Sequence, residues 1–264
     1  MTLFQAILLG LLQGATEFLP VSSSGHLVLI PWLLKWPIPS LPFDAMVHWG
    51  TLVAVVGSFW RDWWALLWGA ARGLRTRSLA DPHARLLALL LLATVPGVLA
   101  GALLEDLFEG MFACPTAAAA FLLTTAGILS AAEFGSARFP SSRSLQAMSW
   151  IDALFVGLAQ ALAILPGISR SGATIAAGMS RGVRREDAAR FSFLLSTPII
   201  LGAGAMQLLK LAHEGMLIGE APFLAVGFLA ALLSGLGAIR FLLAYVRRRP
   251  LYPFALYCAL MGLL

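Results

Sequence analysis

The sequence has few charged residues and few cysteines. Only 12% of its 264 residues are charged, whereas 59% are hydrophobic, a balance outside the usual range of soluble globular domains. The two cysteines, Cys114 and Cys258, lie far apart in apolar segments and match no metal-binding spacing, so we expect two buried thiols. This composition excludes a soluble protein of ordinary type and predicts an integral membrane protein with a single membrane domain, residues 1–264.

Basic residues are absent from the N-terminal segment. No Lys or Arg precedes Lys35, and no cleavage site of small residues follows a clean apolar core, so we expect this segment to be retained rather than removed as a signal. The net charge of +5 comes from arginines in short loops, without a basic patch interleaved with aromatic residues. Nucleic-acid binding is therefore not expected, and charge sorting across a bilayer explains the basic balance.

Six apolar stretches are long enough to cross a membrane, which takes about 20 helical residues. Four shorter stretches flank polar centres broken by glycine and proline, an arrangement that predicts two re-entrant helical hairpins. The predicted crossings are 43–60, 86–104, 112–132, 191–211, 221–242 and 251–264. The short stretches are 2–14 and 24–34 in hairpin 1 (2–34), and 151–165 and 173–180 in hairpin 2 (151–180).

The two hairpin segments resemble each other. GLLQGATEFLPVSSSGH begins at Gly10, GLAQALAILPGISRSGAT begins at Gly157, and three apolar stretches follow each. The chain thus divides into repeats 1–135 and 150–264. Because three crossings is an odd number, the second repeat enters the membrane in the opposite direction. The predicted fold is an all-α integral membrane protein of two inverted-topology repeats, each a re-entrant hairpin plus three transmembrane helices.

Charge is distributed unevenly between the predicted loops. Arginines lie in 72–85, 138–143, 181–190 and 247–249, all on one side of the membrane in this topology. The positive-inside rule makes that side cytoplasmic, so hairpin 1 opens outward and hairpin 2 inward, with tips near the midplane. The opposite loops contain mostly acidic residues, Glu105, Asp106, Glu109, Glu214 and Glu220, besides Lys35 and Lys210.

Hairpin 1 carries an acid at membrane depth. Glu17 costs about 2.5 to 3.5 kcal/mol there on insertion scales, so such a residue marks a functional site facing a cavity or a partner. Gln13 lies four residues earlier, on the same helical face. The structural alternative is an acid that is hydrogen-bonded to the broken backbone after Pro20.

Three serines and a histidine follow that acid. Ser22, Ser23 and Ser24 precede the next helix, and His26 lies within its first turn. Serines alone serve to cap helices and pack them closely. Together with an intramembrane acid and an imidazole, they form a set for acid/base and nucleophilic catalysis. His48 lies in an apolar stretch without such neighbours, and for it a packing role is favoured.

Hairpin 2 contains PGISRSGAT, with Arg170 between two serines ahead of a short apolar helix. Free backbone N–H groups, hydroxyls and one guanidinium together favour a phosphate site, although the segment lacks the ending of a Walker A loop. The structural alternative is an Arg170 that only pairs with Glu17. The candidate phosphate-binding residues are Gln13, Ser22, Ser24, Gly167, Ser169, Ser171, Gly172 and Thr174.

QGATEFLPVSSSGH and LPGISRSGAT resemble the two signature motifs of the undecaprenyl-diphosphate phosphatase family, also called the bacitracin resistance protein family. The resemblance covers essentially the whole chain, including FWRDWW at 59–64. It implies an enzyme of the bacterial inner membrane that removes the terminal phosphate of undecaprenyl diphosphate, recycles the carrier for peptidoglycan synthesis and confers bacitracin resistance. It further implies a divalent cation, Mg²⁺ or Ca²⁺, and an active site open to the periplasm. The implied partners are a polyisoprenyl diphosphate lipid as substrate and the surrounding membrane lipids. Whether the protein forms a homodimer stays open.

The family motifs assign roles to particular residues. Many members carry two acids in the first motif, whereas Gln13 occupies the first position here, so the resemblance leaves Glu17 as the main metal ligand or base, with Gln13 beside it. Nucleophilic attack by Ser23, by His26 or by water stays open. The implied catalytic residues are Glu17, Ser23, His26 and Arg170, and the arginine motif also includes Ser169 and Thr174.

Two other classes of function compete with the enzyme. Inverted repeats with broken helices that meet at the midplane are also typical of secondary transporters, so a lipid-phosphate flippase or a transporter of an anionic substrate is the main alternative. A structural membrane protein that uses Gly10 and Gly14 for GxxxG helix packing is the third.

Overall fold

The computed structural model describes residues 1–103, 111, 114–139, 142–214 and 221–264. Within these ranges the chain is helical, and its one β-type contact is an isolated bridge between Arg143 and Val183. The all-α prediction is confirmed for this part of the chain. Its α-helices are α1 (Leu3–Phe18), α2 (Ser23–Leu33), α3 (Leu41–Ser58), α4 (Trp60–Thr76), α5 (Pro82–Leu103), α6 (Pro115–Arg138), α7 (Trp150–Leu162), α8 (Arg170–Ser180), α9 (Arg185–Glu214), α10 (Ala221–Val246) and α11 (Tyr252–Leu263).

Four described helices are long and apolar enough to cross a membrane: α5, α6, α9 as far as Gln207, and α10. The other two predicted crossings also form helices, but α3 includes Asp44 and His48 and α11 has only 12 residues. Large apolar side chains such as Phe4 and Leu99 are exposed on the helix surfaces, which suits contact with lipid tails. The chain is therefore a multi-pass membrane protein.

Both predicted hairpins form as helix pairs, α1 with α2 and α7 with α8. Helices α1 and α8 extend further than the apolar pattern, because backbone hydrogen bonds continue through polar residues, whereas α7 ends at Leu162, before the predicted end at residue 165. α1 runs to Phe18, which places Glu17 in its last turn, and α8 begins at Arg170 rather than at residue 173. The re-entrant path and the inverted direction of the repeats stay predictions.

Helix α4 was not among the predicted elements, since its residues were assigned to a loop. The helix is amphipathic, so a search for continuous apolar runs does not detect it. Trp60, Trp64 and Trp68 recur every four residues and are all more than half exposed. An exposed tryptophan stripe with arginines nearby, such as Arg61 and Arg72, is typical of a helix that lies in the membrane interface.

Small residues bring helices of the two halves together. A Cβ atom on Gly10 would lie 2.5 Å from the carbonyl oxygen of Gly227 in α10, and a Cβ atom on Gly14 would also collide with α10. Gly157, which matches Gly10 in the repeated motif, packs in the same way against Ala93 of α5. Each hairpin thus packs its first helix on a helix of the other half, and the GxxxG contact forms part of this arrangement.

The arginine-rich segments contact one another. Arg85 donates to the carbonyl oxygen of Met148 at 2.7 Å. The bridge of Arg143 with Val183 joins the segments 138–143 and 181–190, and Arg247 pairs with Glu186 at 2.6 Å. These contacts place the basic loops together, as the charge pattern predicts. Which compartment they face stays a prediction.

The opposite, acidic loops fall mostly in the gaps between the described ranges. Glu105, Asp106, Glu109 and Glu220 lie outside the described residues. The same holds for Leu104 and residues 112–113 at the ends of two predicted crossings, and for the side chains of Lys210 and Glu214.

The prediction of two buried thiols is half wrong. Cys258 is buried in α11, and its Sγ lies 3.7 Å from the carbonyl oxygen of Pro20. Cys114 is exposed, because it is the residue that immediately precedes α6 rather than part of a packed helix face.

Candidate active site

The two hairpins meet through an ion pair. Nη2 of Arg170, the first residue of α8, lies 2.8 Å from Oε1 of Glu17, in the last turn of α1. Both side chains are largely buried, with 13% and 7% of their surfaces exposed. The two residues that the sequence assigned to opposite halves of a site are thus in direct contact, and a charge-assisted bond of this kind is strong when water is excluded.

The second oxygen of Glu17 binds two further groups. Its Oε2 accepts a hydrogen bond from Ser23 Oγ at 2.5 Å and another from Gln13 Nε2 at 3.1 Å. The Oε1 atom of Gln13 is buried and has no partner among the described residues. Glu17 is therefore the centre of the cluster and lies within proton-transfer distance of the Ser23 hydroxyl.

An unusual backbone conformation orients Ser23. The preceding residue, Ser22, has a φ of +70° and caps α2 by accepting a hydrogen bond from Gly25 N at 3.3 Å. A non-glycine residue with such a positive φ carries strain of about 1–3 kcal/mol. The carbonyl oxygen of Ser22 accepts hydrogen bonds from the backbone N–H and from Nδ1 of His26, the latter at 2.7 Å.

Both ring nitrogens of His26 are engaged inside the protein. Nδ1 donates to Ser22, and Nε2 lies 2.7 Å from the hydroxyl of Tyr257 in α11. The two rings stack nearly parallel with centroids 5.5 Å apart, and His26 is fully buried. Its imidazole therefore packs away from Glu17 and Ser23 rather than completing a set with them.

Glycine is required at the tip of hairpin 2. Gly167 has a φ of +104°, and a Cβ atom there would lie 2.2 Å from the carbonyl oxygen of Ala118. Thr125 of α6 holds the tip, because its hydroxyl donates to Gly167 O at 2.8 Å and accepts from Ser169 N at 3.0 Å. Ser169 in turn caps α8 through Gly172 N at 3.0 Å.

Two predicted phosphate ligands hold the elements together instead of facing the cavity. Ser171 Oγ donates to the carbonyl oxygen of Leu19 in hairpin 1 at 3.0 Å. Thr174 Oγ1 lies 2.7 Å from both the carbonyl oxygen of Arg170 and the hydroxyl of Ser192 in α9. Both hydroxyls are buried and occupied by these contacts.

A cavity of about 740 Å³ opens above the ion pair. Its apolar wall includes Leu27, Ile38, Ile164 and Ile199, so the cavity has charged residues at its floor and apolar residues along its wall. The predicted site residues that line it are Glu17, Ser22, Ser23, Ser24, Ser169 and Arg170. Those that do not are Gln13, His26, Gly167, Ser171, Gly172 and Thr174.

The chain matches a known protein family over nearly its whole length. Residues 6–264 match the family model described as bacitracin resistance protein BacA. The chain belongs to the BacA family. Its relatives named undecaprenyl-diphosphatase include proteins of Rubrobacter xylanophilus, 48% identical over 97% of this chain and 94% of the relative, and Desulforudis audaxviator, 46% identical over 98% and 95%. The resemblance drawn from the two motifs is thereby confirmed.

Five polar residues that line the cavity were not predicted from the sequence. They lie on α1, α3, α7 and α9, and they are Thr16, Asp44, His48, Gln160 and Gln207. The prediction of a packing role for His48 is wrong, because His48 lines the cavity. Asp44, one turn earlier on α3, lines it too. The spacing of Asp44 and His48 on one helical face was the available signal, and Gln160 was marked by its match with Gln13 in the repeat.

The residues present would fit a divalent cation if bound phosphate oxygens completed its ligands. Among the described side chains, no three His, Cys, Asp or Glu residues form a ready-made metal cluster. Mg²⁺ in phosphate-processing sites is commonly bound by one or two carboxylates together with phosphate oxygens. Glu17 supplies such a carboxylate at the cavity. Gln13 does not line the cavity, but its Nε2 contacts Glu17 and its Oε1 is buried without a partner among the described residues.

Proposed function

We propose that this chain hydrolyses undecaprenyl diphosphate to undecaprenyl phosphate and inorganic phosphate in the bacterial inner membrane. The observation that carries the proposal is the cluster of Glu17, Ser23 and Arg170 on the floor of a cavity with apolar walls. Relatives with the name undecaprenyl-diphosphatase, over nearly their full lengths, support the same reaction. In the cell this reaction would recycle the lipid carrier of peptidoglycan synthesis and so confer bacitracin resistance.

Arg170 and the start of α8 bind the diphosphate. Arg170 lines the cavity and is the first residue of α8, so the positive end of that helix dipole lies at the same place as its guanidinium. Phosphate oxygens compete with Glu17 for the guanidinium, so binding frees the carboxylate for chemistry. The apolar wall accommodates the first isoprene units, and the rest of the tail stays in the bilayer.

Ser23 is the preferred nucleophile. Its Oγ already donates to Glu17 Oε2 at 2.5 Å, so the carboxylate accepts the proton as Oγ attacks the terminal phosphorus. The bond from that phosphorus to the bridging oxygen breaks, and undecaprenyl phosphate leaves. Water then hydrolyses the phosphoserine, and the proton held by Glu17 returns to Oγ.

A bound Mg²⁺ or Ca²⁺ would neutralise negative charge on the phosphate oxygens. Glu17 and Gln13 are its proposed protein ligands. The remaining residues of the site position the phosphate and the nucleophile, which is the main requirement of phosphoryl transfer.

Phosphate release by the purified protein in detergent separates hydrolysis from transport, because no gradient or sidedness exists there. We expect release with undecaprenyl diphosphate and Mg²⁺, and its loss in both Glu17→Ala and Arg170→Ala. A folded protein that releases no phosphate with either cation would favour the flippase or transporter. The family and its named relatives do not favour that alternative.

The periplasmic opening of the cavity is part of the proposal. It is supported by the grouping of the arginine loops, which the positive-inside rule assigns to the cytoplasm. Labelling of Ser24→Cys by a membrane-impermeant thiol reagent in a background with Cys114→Ser and Cys258→Ala checks it. Labelling in intact spheroplasts supports a periplasmic opening, and labelling only in inverted vesicles contradicts it.

A further inference from the structure

The two imidazoles near the site differ in what their nitrogens contact. His26 uses both nitrogens within the protein, on Ser22 and Tyr257, and does not line the cavity. His48 lines the cavity wall on α3, with about 29% of its side chain exposed. His48 is thus accessible to a substrate and His26 is not, whereas the sequence favoured His26 as the catalytic histidine and His48 as a packing residue.

His48 is held in a defined orientation. Its Nδ1 donates to the carbonyl oxygen of Asp44 at 2.8 Å, and the Asp44 carboxylate lies 3.7 Å from the same nitrogen. Among the described residues no hydrogen-bond partner is found for Nε2, which leaves that nitrogen available to a ligand. The charged groups close enough to act on the ring are Asp44 on its own helix, Glu17 on α1 and Arg170 on α8.

We infer that His48 is the cavity imidazole that protonates the leaving group, and that His26 is a positioning residue for Ser23. The inference rests on the proposed hydrolysis of a lipid diphosphate. Glu17 and Ser23, joined by a 2.5 Å hydrogen bond, supply the base and the nucleophile. His48, which reaches the same cavity from a different helix, supplies the proton donor that this pair lacks.

The protons balance over the two steps. In the first step, the proton of Ser23 passes to Glu17, and protonated His48 gives its Nε2 proton to the bridging oxygen as the phosphorus–oxygen bond breaks. In the second step, neutral His48 takes a proton from the attacking water, and Glu17 returns its proton to Ser23 Oγ. One water is consumed, both phosphates leave, and every residue regains its starting state.

The role of His26 follows from the strained turn before Ser23. Ser22 keeps its φ of +70° while its carbonyl oxygen accepts from the backbone N–H and Nδ1 of His26. Tyr257 holds the other side of the ring. Loss of these hydrogen bonds of His26 would let the turn at Ser22 relax and move Ser23 Oγ away from Glu17. It would not remove a group that touches the substrate.

Asparagine and glutamine variants separate these roles, because the Asn amide replaces Nδ1 of histidine and the Gln amide replaces Nε2. His48→Asn keeps the donor to Asp44, and His48→Gln keeps a donor toward the cavity. We expect both to lower kcat about 10²-fold or more with KM changed little, since neither transfers a proton. His26→Asn keeps the bond to Ser22, and we expect it to retain more activity than either.

The pH profile of kcat gives a readout that a packing role would not change. We expect one limb of the profile, the fall in kcat as an imidazole loses its proton, to be lost in His48→Asn and kept in His26→Asn. The control is His83→Asn, which removes an exposed imidazole at the start of α5, and should match the parent protein. Size-exclusion profiles and melting temperatures in detergent identify variants that do not fold.

Three results would overturn the inference: kcat of His48→Asn within threefold of the parent, full activity of His48→Gln, or loss of the limb in His26→Asn alone. Absence of phosphate release by the parent protein would instead contradict the proposed function. The two failures are therefore distinguishable in one set of assays.

Discussion

Glu17 and Arg170 are 153 positions apart in sequence, yet their side chains form a 2.8 Å hydrogen bond at the junction of the two hairpins. A distance beyond about 12 Å would have been incompatible with a shared site, given the reach of hydrogen-bonded acid/base groups. The cavity above the ion pair and the Ser23 hydroxyl bonded to the same carboxylate favour a functional role.

Conservative changes at the ion pair test that role. Arg170→Lys keeps the positive charge but loses the planar fork of donors, so we expect kcat with undecaprenyl diphosphate to fall about 10²-fold or more. Glu17→Gln keeps the shape of the side chain and removes the base, and a fall of at least about 10²-fold is expected. Phosphate release under single-turnover conditions is the measurement. Near-normal turnover in Glu17→Gln would reduce the pair to a structural contact.

Introducing a second acid tests the proposed metal site. Gln13→Glu places a carboxylate where an unpaired amide oxygen is buried beside Glu17. We expect this variant to reach half-maximal phosphate release at a lower Mg²⁺ concentration, because a second carboxylate strengthens cation binding. The parent protein should lose activity in EDTA and regain it with Mg²⁺ or Ca²⁺. An unchanged Mg²⁺ titration in a folded Gln13→Glu protein would argue against cation binding at this position.

Gly167→Ala is expected to be severely destabilising. Alanine is strained at a φ of +104°, and its Cβ atom would lie 2.2 Å from a backbone oxygen that cannot move independently of α6. The prediction is a large fall in melting temperature or failure to recover folded protein in detergent. Gly135→Ala is the matched control, because a Cβ atom there meets nothing within 4 Å. Equal melting temperatures for the two variants would contradict the close approach of hairpin 2 to α6.

The buried carboxylate of Glu133 gives a test of stability outside the site. Glu133 accepts hydrogen bonds from Arg185 Nε at 2.9 Å and Nη2 at 2.5 Å, and also from Leu251 N at 2.8 Å. It thus joins α6, α9 and the start of α11. Because Arg185 is one-third exposed, Glu133→Gln should cost no more than about 1.5 to 3 kcal/mol, the usual range for hydrogen bonds to charged groups. Thermal melts in detergent measure the loss, and Glu186→Gln, in a more exposed pair, is the control.

Continuous apolar runs and the repeated motif predicted most of the helices, because in a membrane the length of such a run determines whether a helix can cross. Amphipathic α4 was missed for the same reason, since its apolar residues recur with helical spacing instead of running together. Motif matching selected Glu17, Ser23 and Arg170, which do meet. It could not show that His26 turns inward to Tyr257 or that His48 faces the cavity, because a side chain's direction depends on helix rotation and packing against distant segments.

The packing of α1 on α10 has a consequence for the order of assembly. Gly10 and Gly14 meet their partners only after the chain has been synthesised as far as α10, so hairpin 1 enters the membrane early but finds its final position late. Contacts between distant parts of a chain form slowly. The carboxylate of Glu17 is likewise without its partner until the second half has begun, and a chain that ends before Arg170 would leave an unpaired acid in the membrane.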